Sequence, residues 1–236
     1  MNPAPPSRWR LQRFESLAST QDLAVTLAQA GEPARCAILA ARQTHARGSR
    51  GRDWTTLPGN LALSVLLRPA GPASDAGHWA LLAAVAVIET LDGPGLSLKW
   101  PNDVLRDGRK LGGILIDTAL GPAGRLDWLV IGIGVNLGAA PGQHASIKGN
   151  PDEVAAALLA RLDDWDRIRL LDGFAPIRRA WLDRGPAPGT HLQLRLGAQI
   201  VGGAFDGLDD QGALLLQSGG RVRAFPTGEI LQAEHG

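Results

Sequence analysis

The amino-acid sequence predicts an α+β fold in which a mixed, mostly antiparallel sheet is followed by a small all-β module. Signals run in the order helix, strands, helix, strands, helices, without the regular alternation of a doubly wound sheet. The sequence pattern changes at the proline- and glycine-rich residues 185–189, after which short stretches of alternating apolar residues are separated by Gly and Asp turns. A chain of 236 residues has room for one large domain and a small satellite. We therefore expect a main domain over residues 1–186, with residues 1–12 as a flexible tail, and a small β domain over 187–236.

The main domain is predicted to open with a helix that starts at Ser19. The Ser19 hydroxyl can cap free N–H groups, Asp22 suits the positive end of the helix dipole, and Gly31 ends the helix. An unbroken Ala- and Leu-rich stretch predicts a second, buried helix over residues 78–91. Apolar runs predict strands over residues 36–41, 61–67, 96–100, 111–117 and 126–136.

Turn and capping signals place the remaining elements. Asp107-Gly108 is a usual hairpin turn, and it separates the strands predicted over 96–100 and 111–117. Asn150, followed by Pro151 and two acids, opens a helical pattern that continues to about residue 184, with a break near residues 173–176. Alternation predicts strands of the small domain over residues 191–196, 213–216 and 221–225.

Composition and charge exclude several classes of protein. The formal net charge is only +1, so the surface as a whole is not a polyanion binder. Cys36 is the single cysteine, which rules out an internal disulfide, and its apolar run predicts a core thiol. The 5 histidines show no ligand spacing, so we expect no metal held by His or Cys. The chain lacks a signal-peptide core and an apolar window of the roughly 20 residues that a membrane helix needs. We expect a cytoplasmic protein without membrane contact.

The first motif is a loop over residues 42–52 that carries four arginines and no acid. Gly48 and Gly51 remove side-chain bulk, so guanidinium groups and bare amides could wrap a phosphate. The pattern is neither a P-loop nor a dinucleotide fingerprint. A solvated basic loop, or one that touches nucleic acid, explains the composition equally well. Trp54 follows directly, and its indole can stack on a base, although core packing is the more common role of such a residue.

The second motif, over residues 99–115, is the most informative stretch of the chain: Lys-Trp-Pro-Asn-Asp, then Lys110 and Leu-Gly-Gly-Ile-Leu. Pro101 forces the Trp before it into an extended conformation, so Asn102 and Asp103 leave the strand end as adjacent polar groups. Turn chemistry often explains an Asn-Asp pair, but not this whole run. Together with the arginine loop, the motif offers the cations and exposed N–H groups needed to bring two anions together, such as a carboxylate and the α-phosphate of a nucleotide.

The third motif is Gly-Ile-Gly-Val-Asn over residues 132–136, at the end of a predicted strand. Glycines inside a strand weaken it unless something approaches closely. A ligand lying across the strand explains both glycines and the Asn, and a bulge is the simpler alternative.

These motifs, in this order, resemble those of biotin protein ligases. The likeness covers about residues 14–232, and it includes Ser19-Thr20-Gln21 and the late Thr227-Gly228-Glu229-Ile230. It implies the catalytic fold shared with lipoate ligases and class II synthetases, plus a small C-terminal SH3-like barrel. Some members carry an N-terminal winged helix that represses biotin genes. This chain begins about where the catalytic domain begins, so we expect a ligase without that DNA-binding role.

The resemblance also implies the reaction. Biotin would be activated with ATP and Mg²⁺ to biotinyl-5′-AMP, and then transferred to a specific lysine of a biotin carboxyl carrier protein domain, in acetyl-CoA carboxylase or a related carboxylase. Relatives commonly dimerise, so a homodimer is one implied assembly. A lipoate or other carboxylate ligase on the same scaffold is the alternative enzyme. A nucleic-acid-binding module is the alternative from another class, and the near-neutral charge speaks against it.

Carried over position by position, the resemblance implies the site residues. Lys110, Arg50 and Asp103 would be catalytic, with Asp103 near the nucleotide, near its Mg²⁺ or beside the incoming lysine. The residues that would bind biotin are Ser19, Thr20, Gln21, Gln43, Arg47, Gly48, Ser49, Lys110, Gly113 and Leu115. Those that would bind the nucleotide are Arg50, Arg52, Trp54, Asn102, Gly132, Gly134 and Asn136.

The phosphate loop departs from the pattern of these enzymes. That pattern reads Gly-Arg-Gly-Arg-Arg-Gly-Arg, whereas residues 46–52 here read Ala-Arg-Gly-Ser-Arg-Gly-Arg. Ala46 restricts one backbone position, and Ser49 removes a charge-assisted contact worth ~1.5–3 kcal/mol. We hypothesise that biotinyl-AMP leaves this protein faster than it leaves relatives with the full motif.

Overall fold

The computed structural model describes residues 8–231. The predictions made for residues 1–7 and for the last five residues lie outside this range. The main sheet contains seven strands: β1 (Arg10–Phe14), β2 (Cys36–Ala40), β3 (Leu61–Leu67), β4 (Leu96–Lys99), β5 (Asp103–Arg106), β6 (Arg109–Leu120) and β7 (Leu126–Val135). Their order is β1-β2-β3-β7-β6-β5-β4. Only the β1–β2 pair is parallel, so the predicted mixed, mostly antiparallel sheet is confirmed.

Helices cover both faces of this sheet. The helices are α1 (Thr20–Gln29), α2 (Ala76–Leu91), α3 (Pro151–Asp172) and α4 (Ala175–Leu182). The very apolar α2 packs on one face, and α3 and α4 pack on α2. The amphipathic α1 covers part of the other face, against β2, β3 and β7.

Strand alternation decides which residues meet each face. On β7, Leu129, Ile131 and Ile133 join the α2-side core, whereas Gly132 and Gly134 point to the α1 side. The register then sets Gly134 between Ala62 and Gly113, and Gly132 between Ser64 and Leu115. A strip of residues that are small or polar, except for Leu115, therefore crosses β3, β7 and β6 beyond the N-terminus of α1.

The second sheet is antiparallel throughout. It contains β8 (His191–Leu196), β9 (Gln199–Leu208), β10 (Leu214–Ser218), β11 (Arg221–Phe225) and β12 (Glu229–Ile230), in the order β11-β10-β9-β8-β12. The turn before β10 docks on the main domain, because the indole N–H of Trp100 donates to the Gly212 carbonyl oxygen at 3.1 Å. The division of the chain between residues 186 and 187 stays a prediction.

Four strands were absent from the sequence-based prediction: β1, β5, β9 and the two-residue β12. Residues 10–12, expected in a flexible tail, form β1, and Trp9 before them is buried. The polar sequence of β1 gives no strand signal, because these residues are held extended by the ladder to β2. The Asp107-Gly108 turn joins the missed strand β5 to β6, which begins at Arg109. Strand β9 was missed as well, although the break between α3 and α4 at Gly173 was correct.

Candidate active site

A cavity of about 700 Å³ opens on the α1 side of the main sheet, over the strip of small residues. Its wall brings together most of the residues that the sequence analysis had proposed. Those in the wall are Thr20, Gln21, Gln43, Arg47, Gly48, Ser49, Arg52, Trp54, Asn102, Asp103, Lys110, Gly113, Leu115, Gly132 and Gly134. Three proposed residues do not line it: Ser19, Arg50 and Asn136.

The N-terminus of α1 closes one end of the cavity. Ser19 is the N-cap, and its hydroxyl accepts from the Asp22 amide, which explains why it does not line the wall. Thr20 and Gln21 are buried behind it. The Gln43 amide oxygen accepts from the backbone N–H of Thr20 at 2.7 Å, and Ser64 donates to the Gln21 amide oxygen at 3.0 Å. These bonds hold the polar side chains in one orientation.

An ion-pair network continues from Gln21 to the arginine loop. The Gln21 amide nitrogen donates to Asp117 at 2.9 Å, and Arg47 donates to Asp117 at 3.0 Å and to Asp22 at 2.9 Å. Burial works to lower the pKa of Arg47, but the bonds and charges of the two carboxylates outweigh it, so the pKa is raised. Arg47 is therefore a fixed cation at the wall.

The other end of the arginine loop is tied to the C-terminal sheet. Arg52 contacts one oxygen of Glu229 at 2.8 Å, and Arg50 contacts the other at 2.7 Å and also donates to the Gly228 carbonyl oxygen. Burial raises the pKa of Glu229, but the Arg52 hydrogen bond and the nearby arginine charges lower it by more, so it lies below its usual value. Arg50 thus points at the C-terminal sheet, which is why it does not line the cavity.

The facing wall is formed by three charged residues of strands β4, β5 and β6, which are called the hairpin below. The Lys110 ammonium lies 2.6 Å from one Asp103 oxygen, and the Lys99 ammonium lies 3.3 Å from the other. The antiparallel registers of β4, β5 and β6 bring the three together from separate strands. Asn102 supports this corner, because its amide nitrogen donates to the Ile114 carbonyl oxygen at 2.7 Å.

The two strand glycines make room for side chains of the protein itself. A Cβ at Gly134 would lie 2.7 Å from the Trp54 ring, and a Cβ at Gly132 would lie 2.5 Å from the Gln21 amide oxygen. The Lys110 ammonium sits 5.5 Å from the centroid of the Trp54 ring. The close approach expected at these glycines is therefore real. In this structure it is made by Trp54 and Gln21 and does not need a ligand.

The loop after β7 also contributes residues to the wall of the cavity. Asn136 is 0% exposed, accepts from the Asn60 amide at 3.2 Å and donates to the Ala145 carbonyl oxygen at 3.0 Å. This buried pair pins the loop, and it explains why Asn136 itself faces away from the cavity. Pinning brings Gln143 and His144 into the wall. Partial burial, then the charge of Lys110, lower the pKa of His144 despite the opposing effect of Asp103.

Other residues of the site were missed although the sequence carried a signal. Ser64, which lines the wall, interrupts the apolar run of β3. Asp117 does not line the wall but holds Gln21 and Arg47 there, and it follows an apolar run in β6. No spacing signal marked Gln143 or His144, because their place depends on the Asn60–Asn136 contact across 76 residues.

The cavity can hold two anions close together, since cations enter it from the arginine loop and from the hairpin. Within residues 8–231, no group of three or more His, Cys, Asp and Glu side chains is placed to hold a metal ion. Over the same range, no helix is both long and apolar enough to cross a bilayer. The fold and the cavity define an enzyme of the class that activates a carboxylate on a nucleotide.

Comparison with known proteins agrees. Residues 14–136 match the biotin/lipoate A/B protein ligase family, and residues 189–231 match the biotin protein ligase C-terminal domain. A biotin–acetyl-CoA-carboxylase ligase of Paracoccus denitrificans is 36% identical in an alignment of 213 positions, which covers 82% of this chain and 88% of that protein. One from Mycobacterium tuberculosis is 31% identical over 95% of this chain and 90% of its own length.

A solved structure supports the same assignment. The biotin protein ligase of Aquifex aeolicus, in complex with biotin and ATP, superposes with a TM-score of 0.78 at 25% identity, over 94% of this chain and 97% of that chain. The chain belongs to the biotin/lipoate A/B protein ligase family, and the predicted fold class, with its small SH3-like C-terminal unit, is confirmed.

Proposed function

We propose that this chain is a biotin–protein ligase, which joins biotin to AMP at the expense of ATP and then passes biotin to a lysine of a carboxylase carrier domain. The observation that carries the proposal is the single cavity in which Lys110, Arg47 and Arg52 meet. Bringing a carboxylate to a triphosphate is opposed by charge repulsion, and only convergent cations offset it. The ligases of Paracoccus denitrificans and Mycobacterium tuberculosis, which share more than 30% identity over most of the chain, support this reaction.

In the first step, the biotin carboxylate attacks the α-phosphorus of ATP and pyrophosphate leaves. The buried side chains of Thr20 and Gln21 and the half-buried amide of Gln43 suit the uncharged polar ring system of biotin, since each keeps a fixed orientation. Lys110 would neutralise the carboxylate, and later the oxygens of the acyl phosphate. The reaction needs no covalent enzyme intermediate, because positioning and charge compensation suffice.

The nucleotide would lie between the arginine loop and Trp54. Arg52 lines the cavity and can reach a phosphate, and the Trp54 face can stack on the adenine. Arg50 would contribute only by leaving Glu229, so its proposed phosphate contact implies a movement of the loop.

Magnesium would enter with ATP. Mg²⁺ is commonly held by substrate phosphates and one or two carboxylates, so it does not require a cage of protein ligands. Both oxygens of Asp103 already face ammonium groups. This favours a role for Asp103 in positioning Lys110 and Lys99 over a role in metal binding. When bound, Mg²⁺ would supply charge compensation at the phosphates.

The partner would be a biotin carboxyl carrier domain of a carboxylase, and the names of the two ligases, which give acetyl-CoA carboxylase for those proteins, support this. Acetyl-CoA carboxylase as the particular carboxylase, a homodimer, a cytoplasmic location and the lack of a DNA-binding role stay predictions from the sequence.

The decisive experiment incubates the purified protein with biotin, ATP, Mg²⁺ and a biotin carboxyl carrier domain. Mass spectrometry should show the carrier heavier by one biotinyl group, with AMP and pyrophosphate formed in equal amounts. Lipoate ligation is the runner-up, and calorimetric titration with biotin and with lipoate separates the two. Binding of lipoate but not biotin, or ADP as the product, would replace the proposal.

A further inference from the structure

His144 is held beside Lys110 by the backbone of its own loop. The amide of the next residue, Ala145, donates to the Lys110 carbonyl oxygen at 2.8 Å, and the Ala145 carbonyl oxygen accepts from the buried Asn136 amide at 3.0 Å. His144 lines the cavity at this point, together with Lys110 and Asp103. Its position is therefore fixed by hydrogen bonds to both backbone groups of the residue that follows it.

The transfer step needs a proton acceptor in this corner. The carboxylate of Asp103 is a poor candidate, because Lys110 and Lys99 each occupy one of its oxygens. The same two ammonium groups lower the pKa of any amine that enters between them, since like charges disfavour protonation. An acceptor lysine would thus arrive more readily as the neutral amine, but it must still lose a proton once its nitrogen has formed a bond.

His144 has the properties of such an acceptor. Partial burial and the charge of Lys110 keep its pKa below the usual 6.5, so the ring is neutral at neutral pH and has a free lone pair. The charged groups that face it are Lys110 on β6 and Asp103 on β5, and Lys99 and Arg109 line the same cavity. Despite this partial burial, His144 remains exposed to solvent, so its ring can pass a proton on to water.

We propose that His144 is a catalytic base of the transfer step, which takes the proton from the attacking nitrogen of the acceptor lysine. The proposal rests on the ligase function proposed above. The lysine nitrogen forms a bond to the biotinyl carbonyl carbon, and the bond from that carbon to the phosphate oxygen breaks. AMP leaves with the electron pair, and the extra proton on nitrogen moves to the unprotonated ring nitrogen of His144.

The test measures the two half-reactions separately in His144→Asn, with His191→Asn as the matched control. His191 is an exposed histidine on β8, and it does not line the cavity. The first half-reaction is followed by biotin-dependent exchange of pyrophosphate into ATP. The second is followed in single turnovers, from enzyme carrying preformed biotinyl-AMP to a biotin carboxyl carrier domain.

We expect His144→Asn to lower the transfer rate constant about 100-fold at pH 7, the lower end of what general base catalysis contributes. Pyrophosphate exchange should fall far less, and His191→Asn should match wild type in both assays. A loss of transfer smaller than tenfold overturns the proposal. Failure of the wild type to form any biotinyl-AMP would instead reject the ligase function itself.

The pH profile separates a base from a merely structural residue. The wild-type transfer rate constant should fall at acid pH with an inflection below 6.5, the usual pKa of histidine, and this inflection should vanish in His144→Asn. Added imidazole should restore part of the lost rate in the variant. An inflection that persists in the variant, or the absence of rescue, assigns the proton transfer to another group.

Discussion

The two sides of the cavity are built in different ways. The hairpin side, with Lys99, Asp103 and Lys110, stands on three adjacent strands whose register fixes each side chain. The arginine loop side has only two isolated bridges, made by Gln43 and Arg47, within the described residues. Its Arg47, Arg50 and Arg52 are held by carboxylates of distant elements. The hairpin is thus shaped by a continuous backbone ladder, whereas the loop has scattered backbone hydrogen bonds and its arginines are held by ion pairs.

The two sides of the cavity are therefore suited to different tasks. A group on a sheet is positioned before a ligand arrives, which suits the lysine that must meet the reacting carboxylate. A loop held by partly exposed ion pairs opens at low cost, since such pairs contribute about 0–1 kcal/mol each. The loop can therefore exchange its carboxylate partners for phosphates, and then return.

Lys110→Ala should have the largest effect, because it removes the fixed cation of the hairpin side. We expect biotin-dependent exchange of pyrophosphate into ATP to fall about 100-fold or more, as for the loss of a charge-stabilising donor. The melting temperature should change little, since Lys99 still pairs with Asp103. The exposed Lys148, changed to Ala, is the control. Unchanged pyrophosphate exchange in Lys110→Ala would show that the hairpin cation has no role in the first step.

Gly134→Ala tests whether Trp54 must approach the sheet. The new Cβ would lie 2.7 Å from the indole and push it towards the nucleotide. Overpacking of ~2 kcal/mol would raise the KM for ATP about 30-fold. Gly77→Ala, with no atom within 4 Å of the new Cβ, should leave this KM unchanged. Equal KM values in the two variants would show that Trp54 does not shape the ATP site.

Ser49→Arg tests how tightly the loop side holds the intermediate. Restoring a charge-assisted contact of ~1.5 kcal/mol should slow the release of biotinyl-AMP about tenfold. Arg52 already lies near Ser49, with its guanidinium 3.5 Å from the hydroxyl, so it covers part of this role. Release is measured by chasing labelled biotinyl-AMP, with the exposed Ser74→Arg as the control. Identical release rates would contradict the hypothesis that the missing arginine lets biotinyl-AMP leave faster.

Glu229→Gln should give the smallest change, and it should be confined to the loop side. Losing the anion that binds Arg50 and Arg52 should speed hydrogen exchange of the amides over residues 48–54 about threefold, which corresponds to less than 1 kcal/mol. Amides of β5 and β6 should not change. Asp206→Asn, on the exposed side of β9, is the matched control.

The same contact predicts a pH dependence of the wild type. The pKa of Glu229 is lowered in the folded protein, so its stabilisation is present above the usual value of 4.5 and is lost as the pH falls through the folded-state pKa. Protection factors over residues 48–54, which remove the intrinsic pH dependence of amide exchange, should therefore fall on acidification below that value, and those of Glu229→Gln should be insensitive. Equal pH dependence in both proteins would contradict a role for Glu229.

Much of the fold could be predicted because the decisive patterns are local. The Asn150-Pro151 cap, the apolar α2 and the glycine break before α4 each lie within a few residues of the element that they define. Strands β1, β5 and β9 could not be found in this way. Their residues are polar or glycine-rich, and only the neighbouring strand makes them extended.

By itself, the sequence determined which chemical groups are available: the four arginines of the loop, Lys110 with its Trp-Pro-Asn-Asp partner segment, and the strand glycines. Their types and spacing are local properties, and they were enough to indicate a carboxylate-activating ligase. Tertiary structure alone decided that Arg50 turns to Glu229, that Trp54 fills the space over Gly134, and that the loop of His144 bonds to the Lys110 backbone. Each of these contacts joins residues far apart in the chain, so it depends on strand register and buried hydrogen bonds that no short stretch of sequence encodes.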